Sequence, residues 1–366
     1  MIKVLHYNPQ IDSMITRYVG ILVDSMQGKA ECHVATSLAQ FRPLVAKVRP
    51  DIVHLHGCWR SSIAVAAYWG KRHGARIIVS LHGQLEPWVI KEAYFTRRLP
   101  RLMAYQRRII ANAYSVIAMG TMEQRALERF TANPRIESVL NALITSRISE
   151  KEMGEQVLSI YHKVLDSHTL ELMDDTTRNI LSSLIKVGIT GDERHTSSEN
   201  VSEARTLTDE KRWRQILLYA FQEDMMPVVL KGIEVMGIVS VPETDVAAVP
   251  CYVLQNNSQP TAITPEGEDA TEQALHVIKA LNKDAQHSRL SMSGIIQLQK
   301  LLYEQEVNED MLADKLRIKG LDKFTSRLMA LMAEKTQLDE GYMVVPSVND
   351  RKTRQLKRII ENRLKI

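Results

Sequence analysis

Two His-Gly pairs are the residues of this chain best placed to do chemistry. His82-Gly83 closes the apolar, β-branched run Arg76-Ile77-Ile78-Val79-Ser80-Leu81 and opens the polar loop Gln84-Leu85-Glu86-Pro87-Trp88. His56-Gly57 closes Asp51-Ile52-Val53-His54-Leu55 in the same way. Runs of this kind read as buried strands, so each histidine falls at a strand's carboxyl end. That is the edge where open parallel α/β sheets bind their ligands. An imidazole there can exchange hydrogen bonds with a ligand, and the glycine beside it lets backbone approach closely. No Asp-x-Asp and no His/Cys cluster is evident, so neither a metal nor another cofactor is expected.

The elements that must hold these pairs alternate. Residues 2–7 read as a first strand, followed by the polar turn 8–13 and an amphipathic helix over 15–26. A second strand covers 31–36, a short helix runs to Val48, and the third strand is the Asp51 run. A helix over 61–73 leads to the strand ending at His82. An Arg-lined helix over 99–113, a strand over 114–119, a helix over 121–130 and a strand over 136–140 complete the series. The Thr121-Met122-Glu123-Gln124 start suggests a capping arrangement on Thr121. Strands and helices of this length make a parallel, doubly wound sheet.

The 366 residues suffice for two domains. No run of eighteen apolar residues is present, and Met1 leads straight into a strand, so the expectation is a cytoplasmic protein. Cys32, Cys58 and Cys251 suggest no disulfide framework. Charge is unevenly spread: residues 1–150 hold 20 basic and 10 acidic side chains, residues 151–350 hold 20 and 32, and residues 351–366 hold 7 and 1. The basic front half suits an anionic ligand or membrane surface, or neutralises the acidic half across a shared interface.

Four segments taken together, Asp51–Gly57, Val79–Trp88, Arg107–Ala118 and Ser138–Ala142, resemble the N-terminal, acceptor-side domain of family-four GT-B glycosyltransferases. They are most similar to bacterial enzymes of surface-polysaccharide assembly, whose fourth strand runs into a His-Gly-x-Leu-Glu-Pro-Trp loop. The likeness covers residues 2 to about 145. It implies a Rossmann-like parallel sheet and transfer of a sugar from a nucleotide-sugar to a glycan or lipid-linked acceptor. By that likeness His82 sits beside the transferred sugar, acting through its backbone carbonyl or accepting a hydrogen bond. Gly83, Gln84 and Glu86 line the same loop, His54 and Gly57 shape the acceptor side, and Asn141 lies at the last strand's edge. The loop after strand one, Gly-Gly in the family, is Ile11-Asp12-Ser13-Met14 here. Asp12 and Ser13 are what it offers, and a carboxylate facing phosphate is unfavourable.

The family's second Rossmann domain binds the nucleotide-sugar, but its Gly-Arg, Lys-Gly and spaced Glu signatures are missing after residue 150. The helix from Glu152 to Leu165 instead resembles the family's last helix, which crosses back onto the first domain. The expected plan is therefore a Rossmann-like domain over 1–150, a helical segment over 151–237 packing on it, a Pro-containing linker over 238–272, and a small helical domain over 273–366. Within the second half, 170–187 reads as helix, 190–208 as loop, 342–346 as an extended piece of a winged-helix-like module, and 349–366 as a basic amphipathic helix. The acidic surroundings argue against nucleic acid. Basic helices, including the face of Arg97, Arg98, Arg101, Arg107 and Arg108, offer a peripheral membrane contact or a solvated surface. The alternative to an enzyme is a non-catalytic relative that binds a glycan, a lipid-phosphate carrier or a partner transferase.

Overall fold

The alternating runs build one parallel sheet in the computed structural model, which describes residues 1–11, 13–86, 89, 99–131, 133–252 and 269–361. The strands are β1 (Ile2–Tyr7), β2 (Ala30–Ala35), β3 (Ile52–His56), β4 (Arg76–Ser80), β5 (Ser115–Ala118) and β6 (Ile136–Ser138). All pair in parallel, in the order β2-β1-β3-β4-β5-β6. The order reverses between β1 and β3, and the crevice beyond the carboxyl ends of two such strands is where doubly wound sheets take ligands.

Side-chain alternation splits the strands between two cores. Leu5, Tyr7, Val53, Leu55, Ile77 and Val79 face helices Leu38–Val48 and Ser61–Arg72. Val4, Ile52 and Ile78 face helices Met14–Ser25 and Glu150–Asp166. Burial of such side chains stabilises by roughly 1.5–3 kcal/mol each. The two helices on the second face cross where Gly154 leaves room: a Cβ there would lie 1.9 Å from Ser25 Oγ. At the foot of β4 the buried Arg76 guanidinium donates to the Val164 carbonyl and lies over the Tyr114 ring, which ties helix Glu150–Asp166 to the sheet.

Residues 1–166, with 250–252, form one unit, and residues 167–249 and 269–361 form another. The second unit is helical around a single core. Helices Asp175–Thr190 and Met226–Val235 touch backbone to backbone, since a Cβ on Gly188 would lie 1.9 Å from the Val228 carbonyl oxygen and one on Gly232 2.2 Å from that of Leu184. The same core takes in Ile278, Ile295, Leu328 and Leu356. Helix Glu150–Asp166 thus goes with the sheet, whereas residues 175–235 share a core with 270–361. The sequence reading had joined 151–237 as one segment. Continuous apolar faces on both sets of helices decide the grouping.

Several local expectations differ from the structure. Residues 198–206, read as loop, form a helix, because Ser197 caps it through the Asn200 N–H and Val201 and Ala204 are buried. The helix expected from 170 starts at Asp175, capped by Asp174, after the short turn Thr169–Leu172. Residues 340–342 form a 3-10 turn, and among the described residues no strand follows Ser138, so the winged-helix reading loses its strands. The closing helix, Arg351–Glu361, buries Leu356 and Ile360 in the second core, which removes the apolar face that would have rested on a membrane. Residues 253–268 of the expected linker and Leu364 lie outside the described residues. No described helix is long and apolar enough to cross a membrane.

Candidate functional site

Period-two alternation on β3 puts His54 and His56 on one face, and the β1–β3 register sets His6 opposite His54. Ser80 on β4 pairs with His56 in register. These polar side chains occupy the carboxyl halves of three adjacent strands, on the face whose other halves carry Val4, Ile52 and Ile78. His82 follows β4 with a left-handed backbone, φ +54°, and Gly83 continues at φ +74°. The result is a cluster of four histidines at the point where strand order reverses. The sequence reading saw no histidine cluster, because His6 lies 48 residues before His54.

The cluster is held by hydrogen bonds. His6 Nδ1 lies 3.0 Å from His56 Nε2, and His56 Nδ1 lies 3.2 Å from His82 Nε2. His54 is enclosed between the Tyr161 hydroxyl, 2.6 Å from its Nδ1, and the Ser80 hydroxyl, 2.7 Å from its Nε2. The Tyr18 ring stands nearly perpendicular to His82, with centroids 4.9 Å apart. Burial pushes the imidazoles toward the neutral form: His6 down to about 4, His82 to about 3, and His54 and His56 well below the usual value, with the neighbouring His6 and His82 acting in the same direction on both.

Three of these rings, His6, His54 and His56, bring ligand-capable nitrogens within 4.8 Å of one another. Their arrangement suits a hydrogen-bond chain better than a chelate. The His54 and His56 rings lie with centroids 4.1 Å apart and planes tilted by 33°, and both nitrogens of each are already engaged in hydrogen bonds.

The loops around the cluster are tied to each other. Gly57 has φ +82° and donates its N–H to the Ser80 carbonyl at 2.7 Å. Gln84 Oε1 accepts the Cys58 N–H at 2.7 Å, and Gln84 Nε2 donates to Gln10 Oε1 at 3.1 Å. Trp59 Nε1 donates to the Gln84 carbonyl, and Gln106, on the π-helical turn Leu102–Gln106, accepts the Trp59 N–H. Such π turns recur at functional sites. Glu123 Oε1 accepts the Gly83 N–H at 2.6 Å while Oε2 accepts the Met119 N–H at 2.8 Å. Burial raises the Glu123 carboxyl to about 7, partly offset by those two N–H groups, and nearby Glu86 pushes the same way. The helix start expected at Thr121 is capped instead from Gly120, with no side-chain cap, and Glu123 serves the His82-Gly83 turn.

The residues singled out from the sequence fall into three groups. His82, Gly83, Gln84, Glu86 and Gly57 meet at the crevice. Ser13 stands at the start of helix Met14–Ser25, its hydroxyl donating to the Gln10 carbonyl. His54 and Asn141 are enclosed, Asn141 accepting the Leu143 N–H to shape its own turn. Asp12, Pro87, Trp88, Arg97 and Arg98 lie outside the described residues. His6, Gln10, Tyr18, Gln106, Glu123 and Tyr161 went unrecognised. Alternation within β1 and a Glu three residues into a helix were the available signals, and neither names a partner.

Residues 24–142 match the family model described as "Glycosyl transferase 4-like domain". The match spans β2 to the turn after β6 and includes His54, His56, Gly57, His82 and Glu123. The parallel six-stranded sheet followed by a helical second half is consistent with the Rossmann-like GT-B type. Comparison with curated proteins and with solved structures finds no match.

Proposed function

We propose that this chain, whose residues 24–142 form a glycosyl transferase 4-like domain, binds a nucleotide-sugar and a glycan or lipid-linked acceptor at the carboxyl edge of its sheet, in bacterial surface-polysaccharide synthesis. The observation that carries this reading is the left-handed His82-Gly83 turn at the strand-order reversal, held from below by His56 and from the side by Glu123. A turn fixed at both ends keeps its carbonyl and imidazole aimed, which is what stabilising a developing charge requires. His82 is the residue placed beside the transferred sugar. Gly83, Gln84 and Glu86 complete the loop, with Gly57, His54, Asn141 and Ser13 contributing around it, and Asp12 is proposed as a further substrate-binding residue. Exposed Arg101, Arg107 and Arg108 beside exposed Met103 suit an anionic lipid surface, consistent with a cytoplasmic protein working at a membrane.

The second reading is a relative that binds a glycan, lipid-phosphate carrier or partner transferase without catalysing transfer. The helical second unit favours it, because the family's nucleotide-sugar domain is a second parallel sheet and no described strand follows Ser138. A thermal-shift screen against nucleoside diphosphates and nucleotide-sugars separates the two, since a ligand of the native state raises the melting temperature by mass action. A shift with one nucleotide-sugar that His82→Asn abolishes supports the donor site. No shift at millimolar concentration moves the assignment to the second reading.

A further inference from the structure

The hydrogen-bond chain through His6, His56 and His82 has two ends of different kind. At one end His6 Nε2 is buried and meets no partner among the described residues. At the other, the half-buried His82 uses Nε2 toward His56, and its Nδ1 is not among the buried nitrogens left without a partner. Neutral imidazoles each carry one N–H, so the chain must run in one direction or the other. If His82 donated inward, His56 would donate to His6, and the proton of His6 would sit on the buried Nε2 with no acceptor. A buried N–H left undonated costs more than a lone pair left unused. The favoured direction is the opposite one: His6 Nδ1–H donates to His56 Nε2, and His56 Nδ1–H donates to His82 Nε2.

We infer that His6 and His56 are positioning residues that lock His82 in the Nδ1–H tautomer, so that it donates a hydrogen bond to an oxygen lone pair of the ligand. This rests on the reading of His82 as the residue beside the transferred group. It reverses one expectation from the sequence, that the His82 imidazole accepts a hydrogen bond from the sugar. With Nε2 occupied by His56 and Nδ1 carrying the proton, the ring has no free lone pair and cannot serve as a general base unless the whole chain turns over. The ring is an electrically neutral donor, and the burial that keeps the imidazoles neutral keeps the chain intact. The Tyr18 ring packs nearly perpendicular to His82 from helix Met14–Ser25 and limits ring reorientation.

The test is the ring-nitrogen spectrum of protein labelled with 15N-histidine, recorded without ligand at neutral pH. The His82 signals are assigned by their loss in His82→Asn, a substitution that tolerates the left-handed backbone. The expected result is an Nδ1–H pattern for His82, changing toward the Nε2–H form in His56→Phe when the amide spectrum shows that variant folded. An Nε2–H pattern for His82 in the unaltered protein overturns the inference, and so does a folded His56→Phe protein whose His82 tautomer is unchanged. Should His56→Phe fail to fold, the unaltered protein decides alone. Because no ligand is used, a failed nucleotide-sugar screen would remove the glycosyl-transfer reading without touching this result.

Discussion

Glu123 Oε1 accepts the backbone N–H of Gly83 at 2.6 Å, across forty residues of sequence. This bond fastens the first turn of helix Thr121–Phe130 to the turn that carries His82. It also holds a carboxyl in a place that disfavours its charge, since burial raises it to about 7 from the ordinary 4.5. The native state therefore holds more protons than the unfolded chain between those values, and the carboxyl's contribution to stability falls as pH rises through that window. The change is at most about 3 kcal/mol. Glu123→Gln should remove this slope. Urea denaturation from pH 5 to 8 should show wild type losing stability relative to the variant, and parallel curves would refute the assignment.

The histidines have the opposite sign. His6 is held neutral, lowered from 6.5 to about 4 by burial. Above pH 6.5 it is neutral in both states and its burial is unpenalised. As pH falls from 6.5 to 4 the unfolded chain takes a proton that the native state refuses, and stability drops by up to about 3 kcal/mol. His6→Phe keeps a flat ring and removes the titrating group. Its unfolding midpoint should fall less steeply than that of wild type between pH 6.5 and 4, measured in the same denaturant series.

Tyr161→Phe should cost about 1–2 kcal/mol. The hydroxyl is the partner of His54 Nδ1 at 2.6 Å, and its loss leaves a buried imidazole nitrogen unpaired while the packing of the ring stays. Calorimetry of the single variant measures the loss. A double variant with His54→Phe removes the stranded nitrogen but takes the His54 partner from the Ser80 hydroxyl, so the two single losses should not add.

Gly57→Ala tests the loop network. The position has φ +82°, and a Cβ there would lie 2.3 Å from Gln10 Nε2. Backbone strain of roughly 1–2 kcal/mol is expected, together with displacement of Gln10 from Gln84. Gly28→Ala, at φ +74° with open space around it, carries the strain alone. Gly57→Ala should therefore destabilise at least as much as Gly28→Ala, and it alone should weaken any nucleotide-sugar shift in the thermal screen.

Strands β1 to β6 were legible in the sequence because a parallel sheet covered on both faces needs continuous apolar runs, and Ile52-Val53, Ile77-Ile78-Val79 and Val116-Ile117 are such runs. The helices of the second unit were mostly legible from their apolar spacing; residues 198–206 were not, since only Val201 and Ala204 signal a buried face on an otherwise polar segment. The His56-Gly57 and His82-Gly83 pairs could be placed at strand ends by the same local logic. Local patterns could not say which strands are neighbours. Only the pairing of β1 with β3 sets His6 against His54 and within reach of His56. Only the packing of helix Glu150–Asp166 brings Tyr161 to His54, 107 residues away, and only the placement of helix Thr121–Phe130 delivers Glu123 to Gly83. The sequence by itself determined the elements and the strand-end histidines, because those follow from interactions within a few residues. The tertiary structure decided the relay, its fixed end and the grouping of the helices, because each depends on register and crossing between segments whose separation in the chain carries no trace of their contact.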